Sequence, residues 1–259
     1  MSWHLWIDAV PRPGYANMAV DSSLLDRTEQ QGESWLRLYR WSPHCLSFGR
    51  HEPAARRYDL DRIQELGVDT VRRPTGGRAV WHASELTYAI TMPADRFPSL
   101  RAAYLAIHDL LREALGRIGV RGSLAPPTRT APLKAGPCFA RPAGGEVLVN
   151  GRKAIGSAQL RRGSSLLQHG SILLEDSQGF VESLQRADAP TETGEVRVQP
   201  APPPLGRPVD STELAQAVAT AASTRWSSLW TRVDQPRRVL EAATKYFPQF
   251  QSPDWTWTR

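Results

Sequence analysis

The chain has 259 residues, 41% of them hydrophobic and 22% charged, with a formal net charge of +6. This length and composition predict one large globular domain, or a domain with an appendage, and the lack of any run of about 18 apolar residues argues against a transmembrane helix. The first residues carry neither the basic region nor the long apolar region of a secretory signal. Two cysteines do not make a disulfide framework, so we expect Cys45 and Cys138 to be free thiols in a reduced, cytoplasmic protein.

The positive charge comes largely from paired arginines spread along the chain: 56–57, 72–73, 161–162 and 237–238. The plain interpretation is a solvated surface. The functional interpretation is a face for an acidic partner, because opposite charges speed encounter. Zinc-finger spacing, an RRM signature and a basic helix are absent from the sequence, so we do not expect a nucleic-acid partner.

In the first half of the chain, periodicity predicts two longer helices and several strands. Strands are expected at 3–8, 35–41, 45–48, 68–72, 79–82 and 85–92, and helices at 15–30, 60–66 and 100–118. The helix at 100–118 has the clearest pattern, with Ala103, Ile107, Leu111 and Leu115 recurring every four residues.

In the second half, a Pro- and Gly-rich loop is predicted at 121–145, and Asn150-Gly151 predicts a type I′ hairpin between strands at 146–150 and 152–160. A strand is expected at 165–174, and helices at 211–230, with Ser211 as N-cap, and at 237–246. Strands and helices that mix without strict βαβ alternation favour an α+β fold, a mixed sheet flanked by helices.

Cys138 and Lys153 are the most informative pair in the chain. Cys138 lies on the predicted Pro-flanked loop, and Lys153 lies on the second arm of the hairpin. A neighbouring ammonium favours the thiolate, which is the nucleophilic form of cysteine. The first hypothesis is therefore acyl transfer through a cysteine thioester. The alternative is that Cys138 is a small buried hydrophobe and Lys153 an exposed side chain.

A second region of interest is the loop at 72–82, which contains Gly76-Gly77. Two glycines let the backbone approach a ligand and present N–H donors to a carbonyl or an oxyanion. The alternative is an ordinary turn, and the Walker spacing of a phosphate loop is absent. His82 and His169 each fit a structural histidine better than a base, and no metal-ligand spacing occurs. The small residues Gly156, Ser157 and Ala158 predict a close approach to their strand.

Several segments together resemble the lipoate–protein ligase and octanoyltransferase superfamily. They are 72–82 followed by 85–88, 150–159 together with 167–172, and the N-terminal stretches 17–21 and 38–43. The resemblance covers about residues 1–180 and is strongest to the cysteine-dependent octanoyltransferases of the lipoate-ligase-like branch. It implies that Cys138 is the acyl-thioester nucleophile and that Lys153 lowers its pKa. The substrate-binding residues expected on this basis are Arg73, Gly76, Gly77, Arg78, His82, Gly156, Ser157 and Ala158.

The resemblance also implies the biotin/lipoate protein ligase catalytic fold. We expect one catalytic domain over 1–259, with a core at about 1–180 that carries the resemblance; composition and periodicity predict a Pro-rich linker at 191–208 and C-terminal helices at 211–246. It implies transfer of octanoyl from octanoyl-acyl carrier protein to a lysine of a lipoyl-domain protein, such as the glycine-cleavage H protein. A monomer is expected, with no ATP, metal or membrane partner. ATP-dependent ligases carry a third glycine and an aspartate after the histidine, where this chain has Arg78 and Ala83. One departure from the octanoyltransferases is 143–146, where the family has Ser and Tyr before the Glu.

Three alternatives stay open from the sequence. An ATP-dependent lipoate ligase would form an adenylate and would tolerate loss of Cys138. An amidotransferase that moves lipoyl or octanoyl between proteins would use the same cysteine with a different donor. A non-catalytic binding module would keep the fold and form no thioester.

Overall fold

The computed structural model of the chain describes residues 2–127, 143–186, 203–226 and 229–258. Within these residues there are eleven strands: β1 (Ser2–Ile7), β2 (Ser34–Tyr39), β3 (Cys45–Phe48), β4 (Asp69–Arg72), β5 (Val80–His82), β6 (Glu85–Pro93), β7 (Gly122–Leu124), β8 (Val147–Val149), β9 (Arg152–Arg162), β10 (Ser165–Leu173) and β11 (Leu229–Arg232). The helices are α1 (Gly14–Gln31), α2 (Ala54–Arg57), α3 (Leu60–Glu65), α4 (Leu100–Arg117), α5 (Phe180–Ser183), α6 (Ser211–Arg225), α7 (Arg237–Ala243), α8 (Phe247–Gln251) and α9 (Pro253–Trp257).

The strands form two sheets. Eight lie in the order β11-β1-β2-β6-β10-β9-β8-β7, and three lie in the order β4-β3-β5. In the large sheet β1 pairs in parallel with β2 and β11, while the other pairs are antiparallel. In the small sheet β3 is parallel to β4 and antiparallel to β5. The predicted mixed sheet flanked by helices is therefore confirmed.

The large sheet buries both of its faces, and its central strand β6 shows this by alternation. Leu86, Tyr88, Ile90 and Met92 pack on the face covered by α4 and α6. Ala89 packs on the opposite face with residues of α1, α7 and α8. Thr87 and Thr91 alternate with Ala89 and are buried as well, so every residue from 86 to 92 lies in the interior.

The hairpin between β8 and β9 turns at Asn150-Gly151, as the sequence predicts. Their φ angles are +50° and +75°, and a type I′ turn needs positive φ at both central residues. Val149 pairs with Arg152 across the turn. The turn therefore sets the register of β9, the strand that carries Lys153 and the small residues 156–158.

Three predictions near the chain's second half were wrong in detail. The loop predicted at 121–145 contains β7, because Gly122–Leu124 pairs with β8 and extends the sheet edge. The helix predicted at 211–230 ends at Arg225, and Trp230 lies in β11 beside β1. Its N-cap is Asp210 rather than Ser211, since the Asp210 carboxylate accepts from the N–H groups of Thr212 and Glu213.

Aromatic stacking explains why the chain leaves the helix before Trp230. The ring of Trp3 on β1 lies 4.6 Å from Trp226 and 5.1 Å from Trp230, with both pairs stacked. Pairing of β11 with β1 places Trp230 directly beside Trp3. Local propensity gives way here to packing between distant segments.

The C-terminal residues contribute to the interior of the fold. Leu205, in the described part of the predicted linker, is buried in the core under α4 and α6, as are Leu214 and Val218. Val239 and Phe250 pack against α1 on the other face. Helices α8 and α9 lie beyond the last predicted helix at 237–246. None of the described helices is both long and apolar enough to cross a membrane.

Candidate active site

A cavity opens where α1, the small sheet and the strands β9 and β10 meet. Counting its mouth and the open solvent there, it holds about 410 Å³ of space between atoms. Its lining residues are Met18, Tyr39, Trp41, Arg73, Gly77, Val80, His82, Thr87, Gly156, Ser157, Ala158, His169, Gly170 and Ser171. Six of the eight predicted substrate-binding residues are among them, and Gly76 and Arg78 are not. Most of the wall is apolar, so the cavity suits a hydrocarbon chain beside a few polar groups.

Arg73 braces the glycine loop that forms one wall of the cavity. One terminal nitrogen, Nη1, donates to the backbone oxygen of Ser47 at 2.9 Å and to its hydroxyl at 2.6 Å. The other, Nη2, donates to the carbonyl oxygens of Gly76 and Arg78 at 3.2 and 2.8 Å. Arg73 is buried, and its guanidinium thereby ties the loop to β3. Gly76 and Arg78 thus contribute carbonyls that shape the loop behind the cavity.

His82 is held on both ring nitrogens. Its Nδ1 lies 2.7 Å from the Glu85 carboxylate, and its Nε2 lies 2.5 Å from the Ser47 hydroxyl. The Glu85 carboxylate accepts from Nδ1, which therefore carries the ring proton, so Nε2 of the neutral ring accepts from the Ser47 hydroxyl. Burial lowers the pKa of His82, against the opposing effect of Glu85, which favours the neutral ring. His82 also stacks on Trp41 at 3.9 Å and forms a fixed wall.

His169 is a second buried histidine on the cavity wall. Its Nδ1 lies 2.9 Å from Asp21 of α1, and its Nε2 lies 2.7 Å from the hydroxyl of Thr75 in the glycine loop. Asp21 is held in turn by Arg37 at 3.0 Å and by the Tyr39 hydroxyl at 2.9 Å. His82 therefore links β6 to β3, and His169 links α1 to the glycine loop. These contacts are consistent with the structural role considered for both histidines from the sequence.

Several lining residues were not among the predicted substrate-binding residues, including Met18, Tyr39, Trp41 and His169. One signal for His169 was available: it pairs directly with Ala158 across β9 and β10, and both segments belong to the stretch that resembles the superfamily. Met18 and Tyr39 also lie in segments that share the resemblance, 17–21 and 38–43, but no pattern in the sequence assigned them to a site. They come from α1 and β2, and only the packing of these elements brings them to the cavity.

Lys153 is buried near the start of β9 and forms an ion pair. Its Nζ lies 2.8 Å from Glu146 Oε1, and both side chains are less than 5% exposed. The other carboxylate oxygen of Glu146 accepts from the backbone N–H of Ala143 at 2.6 Å. An exposed lysine, the plain alternative, does not fit this burial. Lys153 precedes the wall residue Gly156 by three positions and is not itself among the described lining residues.

His108 of α4 joins the segment before Glu146 to the wall of the cavity. Its Nδ1 donates to the Gly145 carbonyl at 2.7 Å, and its Nε2 accepts from the Ser157 hydroxyl at 2.7 Å. Ser157 in turn accepts from the Tyr88 hydroxyl at 2.6 Å. Burial lowers the pKa of His108 to about 4, so the ring is neutral near pH 7 and can accept at Nε2. No feature of the sequence marked His108 for this position.

Of the two cysteines, Cys45 lies among the residues that the structure describes. Cys45 is a free thiol, fully buried on β3. Burial raises its pKa well above the usual value, with Asp69 adding to the effect, which fits an unreactive thiol packed in the interior. Cys138, the predicted nucleophile, lies outside the described residues. Across those residues, no three His, Cys, Asp or Glu side chains lie close enough together to hold a metal ion.

Comparison with known proteins adds a family and a fold to this geometry. The family model described as the lipoyl protein ligase A/B catalytic domain matches residues 13–223. A curated relative from Carboxydothermus hydrogenoformans, named Octanoyltransferase LipM, is 42% identical over 163 residues, which cover 61% of this chain and 60% of the relative. Another Octanoyltransferase LipM, from Moorella thermoacetica, is 36% identical over 168 residues, covering 62% and 61%. The chain spans about three fifths of the length of these curated relatives.

Solved structures agree on the architecture. A lipoate-protein ligase A bound with ATP superimposes with a TM-score of 0.76 at 17% identity, covering 98% of each chain. Protein Ta0514 of T. acidophilum with bound lipoic acid gives 0.75 at 16% identity, covering 99% of this chain and 100% of that one. At sequence identities this low, the structural similarity is evidence for the fold alone. The expected lipoate-ligase fold is confirmed.

Proposed function

The chain belongs to the lipoyl protein ligase A/B catalytic domain family, and from that premise we propose that it is an octanoyltransferase of protein lipoylation. It moves an octanoyl group from octanoyl-acyl carrier protein to a lysine of a lipoyl-domain protein, in the cytoplasm and without ATP or metal. The curated relatives named Octanoyltransferase LipM support the transferase over the ligase. One solved neighbour is a bi-partite lipoate protein ligase of Thermoplasma acidophilum, studied with its E2 lipoyl domain, which supports a lipoyl domain as the acceptor.

The observation that carries the proposal is the buried Lys153 ammonium three residues before the cavity wall on β9. Lysine is rarely buried without a reason, because desolvating its charge is costly. Glu146 compensates the charge at 2.8 Å and keeps the ammonium in place. A fixed positive charge beside a thiol favours the thiolate. We assign Cys138 as that thiol and Lys153 as the group that lowers its pKa.

In the first half-reaction, the Cys138 thiolate attacks the thioester carbonyl of the acyl donor. A new carbon–sulfur bond forms, the bond to the pantetheine sulfur breaks, and the pantetheine thiolate leaves and takes up a proton. Backbone N–H groups of Gly76 and Gly77, or of Gly156 and Ser157, are the candidate donors to the transient oxyanion.

In the second half-reaction, the acceptor amine attacks the enzyme thioester. The amide forms, the amine gives up a proton, and the Cys138 thiolate is released for the next cycle. The cavity holds the octanoyl chain through both steps, since each buried methylene contributes about 0.8 kcal/mol. His82 contributes to the wall that orients the acyl group. The arginine pairs of a chain with net charge +6 suit acidic protein partners.

Intact-protein mass spectrometry after incubation with octanoyl-acyl carrier protein, without ATP, tests the proposal. Wild type should gain one octanoyl group that hydroxylamine removes, and Cys138→Ala should gain none. Cys45→Ala is the matched control and should acylate like wild type, because Cys45 is a fully buried thiol. If wild type shows no adduct but acylates a lipoyl domain once ATP and free octanoate are added, the protein is a ligase and the proposal fails.

A further inference from the structure

Two consecutive arginines at the end of β4 point to opposite sides. Arg73 turns toward the glycine loop and the cavity, whereas Arg72 turns away and is fully buried. The Nε of Arg72 donates to the carbonyl oxygens of Trp255 and Thr256 at 2.9 and 3.1 Å, and its Nη2 donates to Thr256 at 2.7 Å. The indole N–H of Trp255 donates back to the Arg72 carbonyl at 3.0 Å. Arg72 and α9 are therefore joined in both directions.

The remaining terminal nitrogen of Arg72 holds the turn that follows β3. Its Nη1 donates to the carbonyl oxygens of Gly49 at 2.7 Å, Arg50 at 3.2 Å and Glu52 at 2.8 Å. One planar guanidinium thus fixes backbone carbonyls of two segments separated by about two hundred residues of sequence. Its rigid array of donors suits this use, and a lysine ammonium cannot reproduce it.

The turn at 49–52 is in direct contact with the glycine loop. A Cβ placed on Gly49 would stand 2.0 Å from the carbonyl oxygen of Gly77, so the two backbones touch at a distance that only glycine permits. The N–H of Arg50 also donates to the Thr75 carbonyl at 2.8 Å. Since Gly77 lines the cavity, any displacement of the turn reaches the cavity wall.

We propose that Arg72 is a positioning residue that couples α9 to the glycine loop, so that α9 sets the position of the cavity wall at Gly77. Helix α9 lies beyond residue 223, where the family match ends. The segment thereby acts on a site built from the matched part of the chain. The consequence for acyl-chain binding rests on the proposed octanoyltransferase function, whereas the coupling itself does not.

Hydrogen exchange of the full-length protein tests the coupling without reference to activity. Arg72→Lys keeps the positive charge and loses the planar array of donors, and Trp255→Phe removes the indole donor to the Arg72 carbonyl while keeping an aromatic ring. Amides at 75–78 should exchange at least tenfold faster in Arg72→Lys and several-fold faster in Trp255→Phe, with β6 unchanged. Asp254→Asn, an exposed position of α9, is the matched control and should behave as wild type.

Two results would overturn the proposal. One is unchanged exchange at 75–78 while α9 itself exchanges faster. The other is a uniform increase that includes β6, which would mean general destabilisation. If Arg72→Lys does not fold, Trp255→Phe decides by the same criteria.

Acyl transfer gives the second readout. In both variants KM for the octanoyl donor should rise several-fold with a smaller change in kcat, and the preference for octanoyl over hexanoyl donors should narrow. Absence of octanoyl transfer by wild type, together with the expected exchange pattern, would refute the proposed function and leave the coupling standing. If active variants exchange faster at 75–78 but keep the wild-type KM and chain-length preference, the proposed effect on the cavity wall is refuted.

Discussion

The Lys153–Glu146 ion pair offers the sharpest test of the site, through the variant Glu146→Gln. Both side chains are buried, less than 5% exposed, with 2.8 Å between Nζ and Oε1. Removing one partner of such a pair takes away an opposite charge that stabilises the other, at a cost of about 3–5 kcal/mol. The amide of glutamine keeps an acceptor for the Ala143 N–H, so the loss falls on the charge. We expect a free energy of unfolding lower by about 3 kcal/mol, or a Tm lower by about 6–12 °C for a domain of this size.

The assay is a double-mutant cycle measured by urea unfolding of wild type, Glu146→Gln, Lys153→Met and the double variant. Each single variant should lose about 3 kcal/mol of unfolding free energy, and the double variant should lose much less than their sum, because neither charge of the pair then remains. Asp234→Asn removes half of an exposed pair with Arg232 and should change stability by less than about 0.5 kcal/mol. Additive single effects, or single variants as stable as wild type, would refute the inference that the pair is buried and coupled.

Three further predictions follow from particular contacts. Gly49→Ala should lower stability by about 1–3 kcal/mol and raise KM for the octanoyl donor, because the new Cβ would stand 2.0 Å from the Gly77 carbonyl oxygen. Thermal unfolding and steady-state kinetics measure the two effects, and a variant that matches wild type in both would contradict this packing. A hexanoyl donor should react with a kcat/KM roughly tenfold lower than the octanoyl donor, since two methylenes contribute about 1.6 kcal/mol; equal values would mean that the cavity does not hold the chain. His108→Asn should remove an acid-sensitive contribution to stability. The folded-state pKa of His108, about 4, lies below the ordinary 6.5, so the unfolded state binds more protons than the folded state as pH falls. Between pH 7 and 5, wild type should therefore lose about 2 kcal/mol more unfolding free energy than the variant. Urea unfolding at the two pH values measures the difference, and equal losses would refute it.

The parts of the fold that sequence predicted well are those set by near neighbours. The four-residue recurrence at 103–115 predicted α4, and Asn150-Gly151 predicted the hairpin between β8 and β9, because both signals act over one or two turns of chain. Strand β3 was predicted at its observed bounds, Cys45–Phe48. The family resemblance could also be recognised from the sequence, because the glycine loop and residues 150–159 are each continuous segments of the chain.

The shape of the cavity was decided by tertiary structure. His169 reaches Asp21 across 148 positions, and Arg72 reaches Thr256 across 184. No local pattern predicts such contacts, because they depend on which helix face packs on which sheet. The end of α6 and the existence of β11 depend likewise on the stacking of Trp226 and Trp230 around Trp3. Periodicity and turn chemistry act between residues close in sequence, whereas burial and ion pairing act between surfaces that meet only once the chain has folded.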